Sequence, residues 1–362
     1  MSYIISFVLF FMIVRFCVTL FNFISDPKLR RVSKHAGALV SILIPVRNEE
    51  HNILPLLRSI TSQDYQDYEV IILDDASTDE TFMVCSDFAS RDPRFKVMKG
   101  AELPPDWLGK NYACHQLARQ ARGGYLLFLD ADEKISNGLI NSAVYRMQMN
   151  NLSLLSLFTN QTMLTLGENI VIPLMHFILL NLLPLKLVFL SKNKSVAAAS
   201  GQFMLFNAAD YHHHNWHRQV KEAVVEDVEI MKQVKSRGLN GEALLANGMI
   251  SCRMYTGFGE SIAGFSKNFL AAFNYSVVGL LVFLLLIIGG PLIIISTLNF
   301  NLVLFMCGLI VLNRVMISLL SGQRVLTNAV LHPLQMCALT VIAFLSIQKY
   351  LTKTNVWKGR RV

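Results

Sequence analysis

The sequence predicts an α/β protein, a mostly parallel, Rossmann-like sheet carried between transmembrane helices at its two ends. Short β-branched runs alternate with amphipathic stretches from Leu39 to about Glu260, the βαβ pattern of a sheet covered by helices on both faces. Apolar runs long enough to cross a bilayer lie before and after that stretch. Charge is segregated to match: 53% of the 362 residues are hydrophobic and 16% charged, all 25 Asp and Glu fall at or before Glu260, and the net +8 arises in the last 102 residues. This composition excludes a disordered, collagenous or disulfide-stapled chain. The excess basic residues flank apolar runs instead of forming one basic face, which predicts a lipid bilayer as partner and no nucleic acid.

Residues 1–25 read as an N-terminal anchor. Lys28, Arg30, Arg31 and Lys34 follow the apolar run, so the charge lies on the cytosolic side of an uncleaved segment. Arg15 stands inside it, where a charge is costly unless it snorkels or pairs. Cys17, Cys85, Cys114, Cys252, Cys307 and Cys337 are scattered singly and read as reduced, small apolar side chains.

Residues 37–260 form the α/β domain. Leu39–Ile44, Val70–Leu73, Phe95–Met98 and Tyr125–Leu129 read as buried strands, separated by helices starting near Glu49, Thr78 and Lys110. Ser77 with Glu80 has the spacing of a capping box. The apolar run 170–190 is interrupted by Pro173, Asn181, Pro184 and Lys186, and a crossing there would divide the acidic motifs between two sides of a bilayer. It is read as interfacial or re-entrant.

Residues 261–275 are an amphipathic interface segment and 276–349 a transmembrane region with apolar runs at 277–297, 300–320 and 328–347. Three crossings from a cytosolic domain would leave the tail outside, yet residues 350–362 are basic and favour the cytosol. The middle run, with Asn313 and Arg314, reads as the weakest crossing. An even number of crossings with one re-entrant element reconciles these signals, and the count stays open.

Ligands of an open parallel sheet bind outside the carboxyl ends of its strands, and four motifs fall there. Pro45-Val46-Arg47-Asn48-Glu49-Glu50 follows the first strand, where a loop opening a helix can meet a nucleotide. Asp74 and Asp75, with Ser77 and Asp79, follow the second; a carboxylate there can accept from a base or ribose, or serve only as a polar turn. Asp130-Ala131-Asp132 is delivered by an apolar strand, a place for two acids only if a cation neutralises them, and hard oxygen ligands suit Mg²⁺ or Mn²⁺. Glu226-Asp227 opens a helix, where a carboxylate can act as general base or merely complement the helix dipole. His212, His213, His214 and His217 lack the spacing of a zinc site.

In this order the four motifs resemble those of family 2 glycosyltransferases with the GT-A fold, over roughly Val40 to Phe269. Within that family the chain is most similar to a membrane-bound bacterial branch associated with carotenoid and hopanoid pathways. That likeness rests on Trp107-Leu-Gly-Lys110-Asn-Tyr-Ala-Cys-His115, Gly201-Gln-Phe203, Arg253-Met-Tyr255, Gly264-Phe-Ser-Lys-Asn268 and Trp357-Lys-Gly-Arg360.

The resemblance implies an inverting, metal-dependent transfer of one sugar from a nucleotide-diphosphosugar, a UDP-sugar before others, to a lipid or lipid-like acceptor. The enzyme would be multi-pass in the cell (inner) membrane, with its catalytic domain in the cytoplasm. Asp227 is implied as base. Pro45, Arg47, Asn48, Glu49, Asp74 or Asp75, Lys110 and Asp130 are implied on the donor side, and Asp132 with Asp130 on the metal. Trp107, Glu226, His217 and Trp357 are implied on the acceptor side, with the tail folding back beneath the domain.

Two departures qualify the resemblance. No tryptophan is preceded by Arg, as the Gln-x-x-Arg-Trp of processive polysaccharide synthases would require, and Asn215-Trp216-His217 stands where relatives have Gly-Gly-His. The alternatives are a scaffold that keeps the fold for binding only, against which intact Asp132 and Asp227 argue, and a transferase acting on a polysaccharide precursor. A transporter is disfavoured by the few apolar helices and the absence of acids within them.

Overall fold

The computed structural model describes residues 2–33, 37–353, 356–357 and 360–361, the last two pairs by backbone alone. The apolar runs at the start of the domain become β1 (Val40–Val46), β2 (Tyr68–Asp74), β3 (Phe95–Lys99) and β4 (Tyr125–Leu129), all parallel where they pair. They are joined by α2 (Ile53–Thr61), α3 (Thr81–Ala89) and α4 (Gly109–Gln120), after the N-terminal α1 (Ser2–Ser25). Next come β5 (Glu133–Ile135), α5 (Leu139–Met149), β6 (Leu154–Phe158), β7 (Asn160–Gln161), α6 (Leu166–Val171), α7 (Leu174–Leu182) and α8 (Leu187–Leu190). The domain closes with β8 (Phe203–Asn207), α9 (Ala208–His214), α10 (Trp216–Gln219), α11 (Glu226–Ser236), β9 (Gly241–Leu245), β10 (Ile250–Cys252) and α12 (Gly257–Asn268).

The main sheet runs β3-β2-β1-β4-β8-β6-β9, with β8 antiparallel to both neighbours. From β1 the chain proceeds outward to β3 and returns to β4 on the other side of β1. The carboxyl ends of β1 and β4 therefore border the crevice of a topological switch point. A second sheet, β5-β10-β7, sets Cys252 opposite Glu133.

Alternation along β1 sends Val40, Ile42, Ile44 and Val46 into one core with α2 and α5, and Leu43 into the other. That second core runs without a break from Leu73 and Phe128 through Phe177 and Leu180 to Leu339 and Ile342, so the sheet and the apolar helices share it. The outer edge of β9 is covered by the exit of α1, where Leu29 N–H donates to Leu245 O at 2.9 Å and Leu245 N–H to Pro27 O at 2.8 Å.

Among the described residues four helices are long and apolar enough to cross a membrane. They are α1; α13 (Val277–Leu284), continued by a π-turn into α14 (Gly290–Ser296); α15 (Phe300–Ser321); and, after α16 (Val325–Val330), α17 (His332–Thr352). The run 170–190 makes no long helix, because the chain breaks at Pro173 and Pro184. Asn22 of α1 bridges the second break: its Nδ2 donates to Leu180 O (2.9 Å) and Leu183 O (2.8 Å), and its Oδ1 accepts from Leu185 N–H (2.7 Å). A polar residue of the anchor thereby satisfies backbone groups that a broken helix leaves over.

Several sequence expectations are corrected. α2 and α3 begin at Ile53 and Thr81, not near Glu49 and Thr78, because the preceding residues are knit into loops. Ser77 caps no helix: its Oγ accepts from Asn48 N–H at 3.0 Å, while Asp79 Oδ1 takes Thr81 N–H at 3.1 Å. Pro45 lies inside β1. Val46 O accepts from Asp75 N–H, so the alternate residue Pro45 faces the β4 side, where pairing has already ended at Leu43 and a missing N–H costs nothing. The least apolar of the four long helices is α17, not the middle run.

Helix α17 also lies along the domain. Gln335 Nε2 donates to Asn169 O (3.0 Å), Ser346 Oγ accepts from Leu270 N–H (3.0 Å), and Lys349 Nζ donates to Ser266 Oγ (2.6 Å). These contacts cover about 20 Å of helix.

Gly167 lets α6 and α12 touch. A Cβ there would sit 2.7 Å from Phe258 N, and backbone cannot give way as a side-chain tip can. Gly167→Ala is therefore expected to destabilise by about 1–3 kcal/mol despite the better helix propensity of Ala, which is worth only ~1 kcal/mol. Gly308→Ala in α15, where a Cβ meets nothing within 4 Å, is the control and should leave the unfolding midpoint unchanged or raised.

Candidate active site

Two loops at the carboxyl ends of β1 and β2 are fastened to each other. Asn48, at φ +53°, accepts from Thr78 N–H at its Oδ1 (2.8 Å), and Glu49 N–H donates to Thr81 Oγ1 (2.8 Å). Arg47 Nη1 donates to the carbonyls of Asp75 (2.5 Å) and Ala76 (3.2 Å). Arg47 and Asn48 thus shape the loops themselves. Asp74 is buried; its Oδ2 accepts from Ser77 N–H (3.3 Å), whereas its Oδ1 has no hydrogen-bond partner among the described residues. Asp75 is buried beside it.

At the end of β4 the two acids diverge. Asp130 Oδ1 lies 2.8 Å from Lys110 Nζ, and the same Nζ lies 3.4 Å from Glu226 Oε1. One lysine, on the first turn of α4, thereby joins the strand end to the first turn of α11. Burial opposes its charge, but Asp130 and Glu226 outweigh that and raise Lys110 well above the usual lysine range.

Asp132 turns the other way and accepts from Cys252 Sγ at 3.1 Å. Asp132, Glu133 and Cys252 each offer a ligand atom, all within 4.8 Å of one another. Burial, then the charge of Asp130, raises Asp132 to about 6, and burial followed by Asp132 and Asp130 pushes Glu133 well above the carboxylate range. Both Glu133 oxygens are buried with no well-formed hydrogen bond among the described residues. This crowd of hard oxygens short of positive charge fits a divalent cation better than it fits itself.

Asp227 is cradled by backbone. Gly201 N–H donates to its Oδ2 at 2.7 Å and Val228 N–H to its Oδ1 at 2.8 Å. Burial and then neighbouring Glu226 raise it to about 7, against the two amides and Lys110. Gly201 is what lets these groups converge, since a Cβ there would lie 3.1 Å from Glu226 Oε1 and 3.2 Å from Lys110 Nζ. The loop leading into α11 is pinned by buried Asn111, whose Nδ2 donates to Val220 O (2.9 Å) and Ala223 O (3.0 Å).

Trp107 packs on Tyr112 and His115, next to Leu108, whose N–H donates to Lys221 O (2.9 Å). It therefore adjoins the loop before α11. His217 lies beneath these groups: it is 2% exposed in the core, its Nδ1 2.6 Å from Tyr211 Oη and its ring against Phe128, and burial, then the charges of Lys110 and His115, lower it to about 3. Aromatic neighbours from β4 and α9 enclose the ring that the resemblance implies on the acceptor side. The Trp357 side chain lies outside the described residues.

Glu133 and Cys252, which gather around Asp132, and the loop pin Asn111 carry no local signal of their places. Cys252 is 120 residues from Asp132, and its only pointer is the adjacent Arg253-Met-Tyr255. Arg253 Nη2 lies 2.9 Å from Glu168 Oε1, which also accepts Gly257 N–H, so this motif ties β10 to α6 and α12.

Residues 41–214 match the family Glycosyl transferase family 2. A 4,4'-diaponeurosporenoate glycosyltransferase of Staphylococcus haemolyticus (strain JCSC1435) is 26% identical over 247 residues, covering 63% of this chain and 60% of that one. An uncharacterized glycosyltransferase of Haemophilus influenzae is 32% identical over 114 residues, 32% of this chain and 44% of that one. The chain thus spans about 60% or less of the length of these two relatives. The mannosyltransferase PcManGT from Pyrobaculum calidifontis, solved with GDP-Man and Mn²⁺, superposes with a TM-score of 0.59 at 14% identity, covering 97% of this chain and 100% of that one. The fold is shared with it, and it is the GT-A fold.

Proposed function

We propose that this family 2 glycosyltransferase domain, residues 41–214 with α11 and β10 completing its site, moves one sugar from a nucleotide-diphosphosugar to a hydroxyl of a lipid or lipid-like acceptor, with inversion. The observation that carries the reading is the Lys110 bridge. It sets the strand-end acid Asp130 and the start of α11, hence Asp227, on two sides of one ammonium group.

The acceptor oxygen attacks the anomeric carbon as its proton passes to a carboxylate oxygen of Asp227. The bond from that carbon to the diphosphate breaks, and the electron pair leaves on the diphosphate oxygen. Lys110 stands where it can meet that growing charge. Asp132 and Glu133, with Cys252 beside them, would hold Mg²⁺ or Mn²⁺, which when bound supplies further charge for the leaving diphosphate, while Asp130 stays on Lys110. Buried Asp74 or Asp75, at the end of β2, would receive the nucleoside.

A lipid acceptor is supported by the nearness of the apolar helices. Asn160 of β7 donates from Nδ2 to Ser321 O at the end of α15 (3.0 Å), and β7 pairs with β10, the strand of Cys252. The name of the diaponeurosporenoate relative points to the same class. With α17 lying along α6 and α12, two crossings by α13–α14 and by α15 would return the basic tail to the side of the catalytic domain, the cytosolic face by its positive charge.

The raised Asp227 gives a pH test. Its deprotonated form is the base, so turnover should be level above about pH 7 and fall about tenfold per unit below it. A profile flat from roughly pH 5 to 8 would remove Asp227 from that role.

A further inference from the structure

Two arginines lie inside the apolar helices, and no acid meets them among the described residues. Arg15 of α1 is 8% exposed and Arg314 of α15 is 1% exposed, so neither snorkels to water. Both guanidinium groups lie over the ring of Phe177, their Cζ atoms 5.4 and 3.7 Å from its centroid. Arg314 Nε donates to His332 Nδ1 at 2.8 Å, a bond that requires that nitrogen to be unprotonated and so brings no negative charge. Among the described residues Arg15 Nε and Arg314 Nη2 have no hydrogen-bond partner, although both are buried. Neither α1 nor any part of the chain after Glu260 contains an Asp or Glu.

A small space lies beside Arg15, and Arg314 adjoins it through its contacts with His332 and Phe177. Arg15, Asn313 and His332 line a cavity of about 20 Å³, walled elsewhere by apolar side chains including Met12 and Pro291. It has room for roughly one water-sized group, which suits an oxygen atom entering with its carrier outside. Arg314 precedes Ser321 by seven residues, about 10 Å of helix, and Arg15 precedes Ser25 by ten, about 15 Å. Because Ser321 O is held by Asn160, the pair lies in the half of the apolar layer nearest the α/β domain.

We infer that Arg15 and Arg314 form an intramembrane site for the oxyanion head, phosphate or carboxylate, of an amphiphile drawn in from the leaflet that faces the domain. Two guanidinium groups without an acid partner recognise such a head by charge and by the N–H donors they have left, one oxygen entering the space while the hydrocarbon stays outside in the bilayer. Ionisable residues at this depth are costly to keep without a ligand or partner. The site is separate from the transfer chemistry and does not depend on the proposed function.

The test monitors thermal unfolding of the full chain in neutral detergent at 0.5 M NaCl, which screens surface charge but not a buried pair. Phosphatidylglycerol, phosphatidylcholine and inorganic phosphate are added separately. Phosphatidylglycerol at a large excess over its dissociation constant should raise the midpoint by about 5 °C, and phosphatidylcholine should not. Inorganic phosphate acting as strongly as phosphatidylglycerol would make the ligand a free anion and keep the site; no effect of phosphate alone assigns it to a lipid head group. Arg15→Gln and Arg314→Gln should each abolish the shift, Arg314→Lys should retain part of it, and the exposed Lys353→Gln should retain all of it. Equal response of the wild type to the two lipids would overturn the inference, a result that needs no variant to fold. A phosphatidylglycerol shift that survives both glutamine substitutions would overturn it as well.

Discussion

Asp227→Asn is expected to lower turnover by about 10²-fold or more while leaving the affinity for the nucleotide-sugar within about twofold. The substitution keeps the shape of the side chain, and its one carbonyl oxygen can accept from only one of the amides of Gly201 and Val228, which now donate to separate oxygens at 2.7 and 2.8 Å. It removes the capacity to take a proton. Asparagine also relieves the repulsion between Asp227 and Glu226, which offsets the one amide bond given up, so the unfolding midpoint should stay within a few degrees of the wild type. Loss of turnover without loss of stability or donor affinity is the signature of a missing base. The remaining activity should lose its dependence on pH around 7, because the titrating group is gone. Turnover that stays at the wild-type level would assign proton removal elsewhere, with Glu226 the next candidate by position.

Asp132→Ala should cost about 10³-fold or more in transfer, since a metal clamp on a departing diphosphate supplies several kcal/mol and each 1.36 kcal/mol is a factor of ten. Excess chelator should reduce the wild type to the same level, and Mn²⁺ or Mg²⁺ should restore the wild type alone. The metal-free variant is not expected to unfold more readily. Asp132 is crowded by Asp130 and by Glu133, whose oxygens have no well-formed hydrogen bond among the described residues, so its removal relieves a repulsion and gives up only the weak thiol bond from Cys252. A variant inactive because it is unfolded would be recognised by its midpoint, and full wild-type activity in chelator would take the metal out of the reaction.

Much of this site is legible in the sequence, for local reasons. Tyr125–Leu129 is bounded by Gly123-Gly124 and by Asp130, and the strand begins and ends where those punctuation marks put it. Glu226 and Lys110 open their helices, as first-turn signals indicate, because apolar residues come after them at helical spacing. The starts of α2 and α3 are not legible in the same way. Asn48, Ser77, Asp79 and Thr81 spend their hydrogen bonds on the two fastened loops, about 30 residues apart in sequence, which no local pattern discloses.

The same limit explains Cys252 and Glu133, whose meeting with Asp132 depends on β10 pairing with β5. It also explains His217, whose polar ring gives no hint that Phe128 and Tyr211 close over it. Arg15 is conspicuous as a charge inside an apolar run, but its companion on Phe177 lies 299 positions further on, and only the packing of α1 and α15 on α7 brings the two together.

The central claim is that one crevice, at the ends of β4 and β1 and the start of α11, performs glycosyl transfer to a membrane lipid. The direct measurement incubates the full chain, purified in detergent, with Mn²⁺, a panel of nucleotide-diphosphosugars and a membrane lipid extract, and identifies both products by mass spectrometry. The account predicts a lipid that has gained a single sugar, an equal amount of released nucleoside diphosphate, a β-linkage from an α-linked donor, and neither product with Asp227→Asn above a few per cent of wild type, roughly the scale of a lost general base. An α-linked product, a sugar polymer, or formation of the same glycolipid by the Asp227→Asn variant at wild-type rate would contradict it.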